Sequence, residues 1–125
     1  MEKLTVSLSI LILYTLLMLV VIINSGGIVN PVNGQEQEKT WCVAKPSSSD
    51  AELTANINFA CDNLKDCRLI QPNGACYNPN TNINHASVVM NLYYQSNGRN
   101  SWNCDFKDSG LISKNDPSYG DCHYP

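Results

Sequence analysis

Several kinds of chemistry are missing from this chain of 125 residues. It has no Cys-x-x-Cys pair, and its two histidines, His85 and His123, are not placed as zinc-finger partners, so no metal site is expected. No Gly-x-Ser-x-Gly stands anywhere, which removes the usual signature of an activated serine. Basic residues form no cluster and the net charge is −3, an argument against nucleic acid and against an anionic membrane surface as partners. There is no Asn-x-Ser/Thr sequon, so N-glycans are not expected. Internal repeats are absent, and no apolar tail of the lipid-anchor type follows Cys122.

What the chain does have begins with an apolar run from Leu4 to Ile23, broken only by Thr5, Ser7, Ser9 and Thr15 and preceded by Lys3. This pattern predicts a secretory signal peptide with its lead-in over residues 1–34. Cleavage is expected at Val32-x-Gly34 in preference to Ser25-x-Gly27, so that the mature chain starts at Gln35. The alternative is an uncleaved anchor, because about twenty apolar residues are just enough to span a bilayer. Either way the remainder is expected outside the cytosol. All six cysteines (Cys42, Cys61, Cys67, Cys76, Cys104 and Cys122) lie in that remainder. An even count in a small secreted chain predicts three disulfides, and spacing alone leaves fifteen pairings open. A small core needs such cross-links to offset chain entropy.

Residues 28–40 are polar and predict a flexible lead-in, with the folded part beginning at Trp41-Cys42. Ser49-x-x-Glu52 has capping-box spacing. Leu53, Ile57, Ala60, Cys61 and Leu64 follow on one helical face, giving a helix over about 50–64. Pro72-Asn73-Gly74 and Asn78-Pro79 mark a loop. A second helix is expected from Asn80–Thr81 to about Gln95, with Ile83, Ala86, Met90 and Tyr93 on its buried stripe. Tyr93 and Tyr94 are about 100° apart on such a helix, so only one of them can face the core squarely. Gly98 is a terminator, and the pattern beyond it, SWNCDF and GLIS around Lys107-Asp108-Ser109, suits a short hairpin.

Each carboxylate has an unremarkable role: Glu52 caps a helix, and most others are solvated charges beside turns. With all cysteines oxidised no thiol nucleophile remains. Catalysis is therefore not expected. Binding is better supported. Sugar rings present apolar C–H faces ringed by hydroxyls, and aromatic platforms flanked by amides and charges suit them. The stretch Tyr93–Trp102 has that mixture, with Tyr94, Gln95, Arg99 and Trp102 as the main candidates and Tyr77 and Asn78 as outer ones. For Tyr93 and Phe59 a core role is expected.

The cysteine order and its surroundings (WCVAKP, LTANINFAC, DCRLIQPNGACYNPNT, HASVVMNLYYQSNGRNSWNCDF and DPSYGDCHYP) resemble the X8 domain of plants, also called carbohydrate-binding module family 43. The likeness covers about residues 40–125 and is nearest to the short free-standing form found in olive pollen. It implies an α+β fold: a small disulfide-stapled domain with two helices, a short antiparallel sheet and long coil segments. It also implies the pairing Cys42–Cys104, Cys61–Cys67 and Cys76–Cys122. The function implied is binding of β-1,3-glucan (callose, laminarin) without catalysis or cofactor, by a monomer secreted to the cell wall. A membrane would be involved only through an uncleaved N-terminal segment. Rival readings are a disulfide-rich structural or defence protein and an accessory module of a separate glucanase. Asn58 stands where many members carry an acidic residue, Phe59 where tryptophan is frequent, and Trp102 where many have something smaller.

Overall fold

A computed structural model describes residues 2–24 and 38–125, with side chains in the first stretch described over 7–21. The expected cleavage points and the start at Gln35 lie outside the described residues. The chain divides into two units, residues 1–37 and residues 38–125. In the first, α1 (Glu2–Asn24) is a single helix with apolar side chains exposed all round. Among the described residues, no helix is long and apolar enough to cross a membrane.

The second unit contains β1 (Trp41–Ala44), α2 (Asp50–Leu64), α3 (Asn82–Ser96) and β2 (Gly110–Ser113), with short 3-10 turns at Arg68–Ile70 and Ser101–Cys104. Helix α2 starts where the capping box puts it. Ser49 accepts from the Glu52 N–H while the Glu52 side chain accepts from the Ser49 N–H. Thr81 caps α3 through the Asn84 N–H. At its far end Gly98 takes φ +93 and the Arg99 N–H reaches back to the Tyr94 carbonyl, the Schellman arrangement that ends a helix on a left-handed glycine.

The two strands are antiparallel, with Cys42 opposite Ile112 and Val43 opposite Leu111. The hairpin expected between residues 101 and 113 is not formed. SWNC is a 3-10 turn, and GLIS pairs instead with Trp41–Ala44. The reason lies between them: Phe106, Lys107 and Asp108 all have positive φ (45°, 51° and 67°), a left-handed turn that redirects the chain. The turn is held by several bonds. Ser109 Oγ donates to the Phe106 carbonyl, the Gly110 N–H donates to the Asp105 carbonyl, and Lys45 Nζ lies 2.7 Å from Asp108 Oδ1. Gly110 is required here, because a Cβ would fall on the Cys104 carbonyl oxygen.

The strand β1 is completed on its other edge by a helix. Ser87, Asn91 and Gln95 are spaced by one helical turn each. Ser87 Oγ accepts the Ala44 N–H (3.0 Å), Asn91 Oδ1 accepts the Cys42 N–H (3.0 Å), and Gln95 Nε2 donates to the Thr40 carbonyl (2.8 Å). Asn91 is fully buried and also donates to the Pro125 carbonyl. Around this seam lie two cores. Cys42, Ala44, Leu53, Ala86, Met90, Tyr94 and Cys104 form one, and Trp41, Cys76, Val88, Cys122 and Tyr124 form the other. The disulfides are Cys42–Cys104, Cys61–Cys67 and Cys76–Cys122, the pairing that the family resemblance implies.

Two consequences can be measured. Asn91→Leu fills the same space but strands the buried Cys42 N–H, and should cost about 2–3 kcal/mol in denaturant unfolding. Lys45 holds the Asp108 carboxyl below its usual range by hydrogen bonding and then by charge attraction. The NMR titration midpoint of Asp108 should therefore rise to the ordinary aspartate value in Lys45→Met. The pair is exposed, so its stabilisation is small. It is present above the unfolded aspartate pKa and disappears as pH falls through the depressed folded value.

Candidate carbohydrate-binding site

Three consecutive residues of α3 face three ways. Gln95 faces the edge of β1, Tyr94 the core, and Tyr93 a cleft between α2, α3 and the left-handed turn. The cleft has a volume of about 300 Å³ and is lined by Ala55, Asn56 and Phe59 of α2, Tyr93 of α3, and Trp102, Asn103, Asp105, Phe106 and Lys107. Its aromatic floor is a mutual edge-to-face trio. Ring centroids are 5.1 Å apart for Phe59–Tyr93, 5.9 Å for Phe59–Phe106 and 5.7 Å for Tyr93–Phe106. Trp102 is 72% exposed and Phe59 48% exposed. A flat apolar ring face is thus offered to solvent beside a packed aromatic wall.

The polar groups divide into two sets. Most of the amides in this region are consumed internally. Asn97 Nδ2 donates to the Tyr93 carbonyl, and Gln95 Nε2 donates inward to the Thr40 carbonyl and to Asn91 Oδ1. At the cleft, Asp105 and Lys107 are exposed at the lip, and Asn103 uses its oxygen to accept the Asn100 N–H. The lip thus offers one carboxylate, one ammonium and one amide, a set that suits hydroxyl groups on a neutral ligand.

The expected site residues separate accordingly. Trp102 lines the cleft. Tyr94 does not: it is 2% exposed, packs with Met90 and Leu53, and its hydroxyl is 2.8 Å from Thr40 Oγ1. Gln95 bonds to the edge of β1 and lines the larger hollow on the other side, not this cleft. Arg99 is half-buried with φ +59 and does not line the cleft. Tyr77 stacks on His85 at 5.5 Å, and the Asn78 carbonyl accepts from the Tyr119 hydroxyl. His85 and Tyr93 are eight residues apart on α3, roughly 12 Å along the axis, so this pair is a separate surface. Phe59 and Tyr93, expected in the core, are the cleft residues the sequence reading missed. The signal that could have found them is the two buried polar residues Ser87 and Asn91, which rotate the inward face of α3 toward Tyr94.

A larger hollow of about 1030 Å³ opens between the 64–74 segment and α3, lined by Leu64, Leu69, Pro72, Leu92 and Pro125 with an Asp66–Arg68 ion pair beside it. Arg68 holds the Asp66 carboxyl down at about 2. No aromatic ring lines this hollow, so it offers no stacking platform. The smaller cleft is the better candidate.

Comparison with known proteins agrees with this architecture. The family model of the X8 domain matches residues 40–111. The chain is 58% identical over 86 residues to a glucan endo-1,3-β-D-glucosidase of Olea europaea, covering 69% of this chain and 19% of the relative. It is 51% identical over 87 residues to major pollen allergen Ole e 10 of the same species, covering 69% of this chain and 71% of the allergen. Plasmodesmata callose-binding protein 2 of Arabidopsis thaliana is 35% identical over 86 residues, covering 69% of this chain and 44% of that protein. The chain spans only about a fifth of the glucosidases that it matches. With six cysteines paired as the resemblance implies and the model match covering both helices and the start of β2, the chain belongs to the X8 domain family.

Proposed function

We propose that this chain is a non-catalytic protein of the plant cell wall that binds β-1,3-glucan through the cleft at Phe59, Tyr93, Trp102 and Phe106. The observation that carries this reading is Trp102, an indole 72% exposed beside a preformed aromatic wall and three polar groups. The rings supply the apolar surface a pyranose face needs, and Asn103, Asp105 and Lys107 supply partners for its hydroxyls. The relatives named for endo-1,3-glucosidase and callose binding support β-1,3-glucan as the polymer. Hydrolysis of a glycosidic bond needs two carboxyl groups across the bond. Among the residues lining the cleft there is one, Asp105, which supports binding without catalysis.

Secretion is part of the same proposal. Its supports are the apolar helix α1 and a body in which every cysteine is paired, a state suited to an oxidising compartment. The protein acts as a monomer in the apoplast. Sequencing the N-terminus of the protein isolated from tissue decides between cleavage of α1 and retention as an anchor.

Affinity electrophoresis in gels containing laminarin, against cellulose-type and mixed-linkage glucans, tests the ligand. Retardation by laminarin alone is expected, and retardation by none of them would sink the reading. Trp102→Ala should weaken laminarin binding at least about tenfold while leaving the melting temperature unchanged, as exposed substitutions usually do. Tyr94→Phe should behave in the opposite way. It loses the hydroxyl contact to Thr40 and about 1 kcal/mol of stability, with laminarin retention intact.

A further inference from the structure

Asn56 is the most deeply placed polar residue in the cleft. It lies on α2 one turn before Phe59, is only 7% exposed, and lines the floor. Its amide nitrogen is fully engaged: Nδ2 lies 2.7 Å from Ser109 Oγ and 3.7 Å from Met90 Sδ. The orientation of the amide is fixed by its neighbour. Ser109 Oγ donates its one proton to the Phe106 carbonyl at 2.6 Å, so toward Asn56 it can only accept. The nitrogen of Asn56 must therefore face Ser109, and the carbonyl oxygen must face away from it.

That oxygen, Oδ1, has no hydrogen-bond partner among the described residues. It is not sealed in, either. Among them, the only enclosed side-chain nitrogen or oxygen lacking a partner is Trp41 Nε1. Since Asn56 lines the cleft and is otherwise buried, the surface left to Oδ1 opens into the cleft, against the rings of Phe59, Tyr93 and Phe106. In the empty cleft the partner open to it is solvent water. A ligand that fills the cleft expels that water, and leaving the acceptor dry carries a penalty of its own. The occupant must therefore bring a donor to this point.

The geometry points to Asn56 as a specificity-determining residue of the cleft, whose Oδ1 accepts a hydrogen bond from one hydroxyl of a neutral pyranose stacked on the aromatic floor. This inference rests on the glucan-binding reading and deepens it. Stacking alone tolerates any flat apolar ring, whereas a fixed acceptor at the floor rejects sugars in which that hydroxyl is missing or etherified. A site built to pair with a hydroxyl discriminates far more strongly than a hydrophobic one.

The test is a panel of monodeoxy and mono-O-methyl derivatives of methyl β-laminaribioside, competing with laminarin for the folded, oxidised protein. Wild type should lose about tenfold or more for one hydroxyl position. Asn56→Ala should bind the parent sugar correspondingly more weakly and show no further loss for that same derivative. Such non-additivity marks a direct pair. Ser109→Ala removes the acceptor that fixes the amide, leaves it free to turn over, and should weaken the discrimination at that same position. A measurement on wild type alone covers the case in which Asn56→Ala fails to fold. The NMR signals of the Asn56 side-chain amide should shift with the parent sugar and stay in place with the discriminated derivative. Additive losses at every position, unchanged affinity in Asn56→Ala, or an unperturbed Asn56 amide would each overturn the inference while leaving glucan binding standing. A wild-type protein that laminarin does not retain overturns both.

Discussion

The fold depends on a strand edge being closed by side chains instead of by another strand. A two-stranded sheet leaves each strand with one bare edge, and β1 is too deeply placed for water to satisfy its own. Helix α3 supplies the missing partners. Residues four apart on a helix are separated by about 6 Å along its axis. Alternate residues of a strand are separated by about 6.6–6.8 Å. The two repeats nearly match, so Ser87, Asn91 and Gln95 can meet Ala44, Cys42 and Thr40 in succession. The polar seam then fixes both the rotation of α3 and its position along β1. With that fixed, Ala86, Met90 and Tyr94 face the first core and Tyr93 faces outward.

The cross-links extend this arrangement to the site. Cys42 sits in the middle of the seam and is bonded to Cys104, the last residue of the 3-10 turn that carries Trp102. Beyond Cys104 the chain enters the left-handed turn, a conformation that costs roughly 1–2 kcal/mol per residue for residues with a side chain. The Ser109, Asn56 and Lys45 contacts hold that turn. What the turn achieves is to bring Phe106 against Phe59 and Tyr93 and to set Asp105 and Lys107 at the lip. The strain and the cleft lining occur in the same few residues, as is common where a site is preformed.

Much of this was legible in the sequence. The Ser49–Glu52 box located α2, the apolar spacing located α3, and Gly98 marked its end. All three are local signals, written within a few residues of what they specify. The hairpin expected after residue 101 failed because strand choice was settled by a distant partner, β1, and by the left-handed turn, for which Phe106, Lys107 and Asp108 give no compositional hint. The disulfide pairing could not be read from spacing and came only from the family resemblance. Of the candidate site residues, Trp102 lines the cleft, whereas Tyr94, chosen over Tyr93, is buried in the core. The apolar stripe read from Ile83, Ala86, Met90 and Tyr93 took no account of Ser87 and Asn91, each of which is buried in the service of a backbone group. Taking the pair as inward turns the helix by enough to exchange the two tyrosines.

The three roles packed into Tyr93, Tyr94 and Gln95 also limit how the chain can change in length. Each added residue advances a helix by about 100°. One residue inserted between Asn91 and Tyr93 would send a tyrosine from the cleft into the core and a core ring toward the strand edge, while the disulfides held the ends in place. Insertions in the 68–75 stretch, between Cys67 and Cys76, carry no such phase error, because it lies outside both helices. Length variation is therefore cheaper in that loop than within α3. Circular dichroism would still report a helix in such an insertion mutant, but one turned away from both the strand and the cleft.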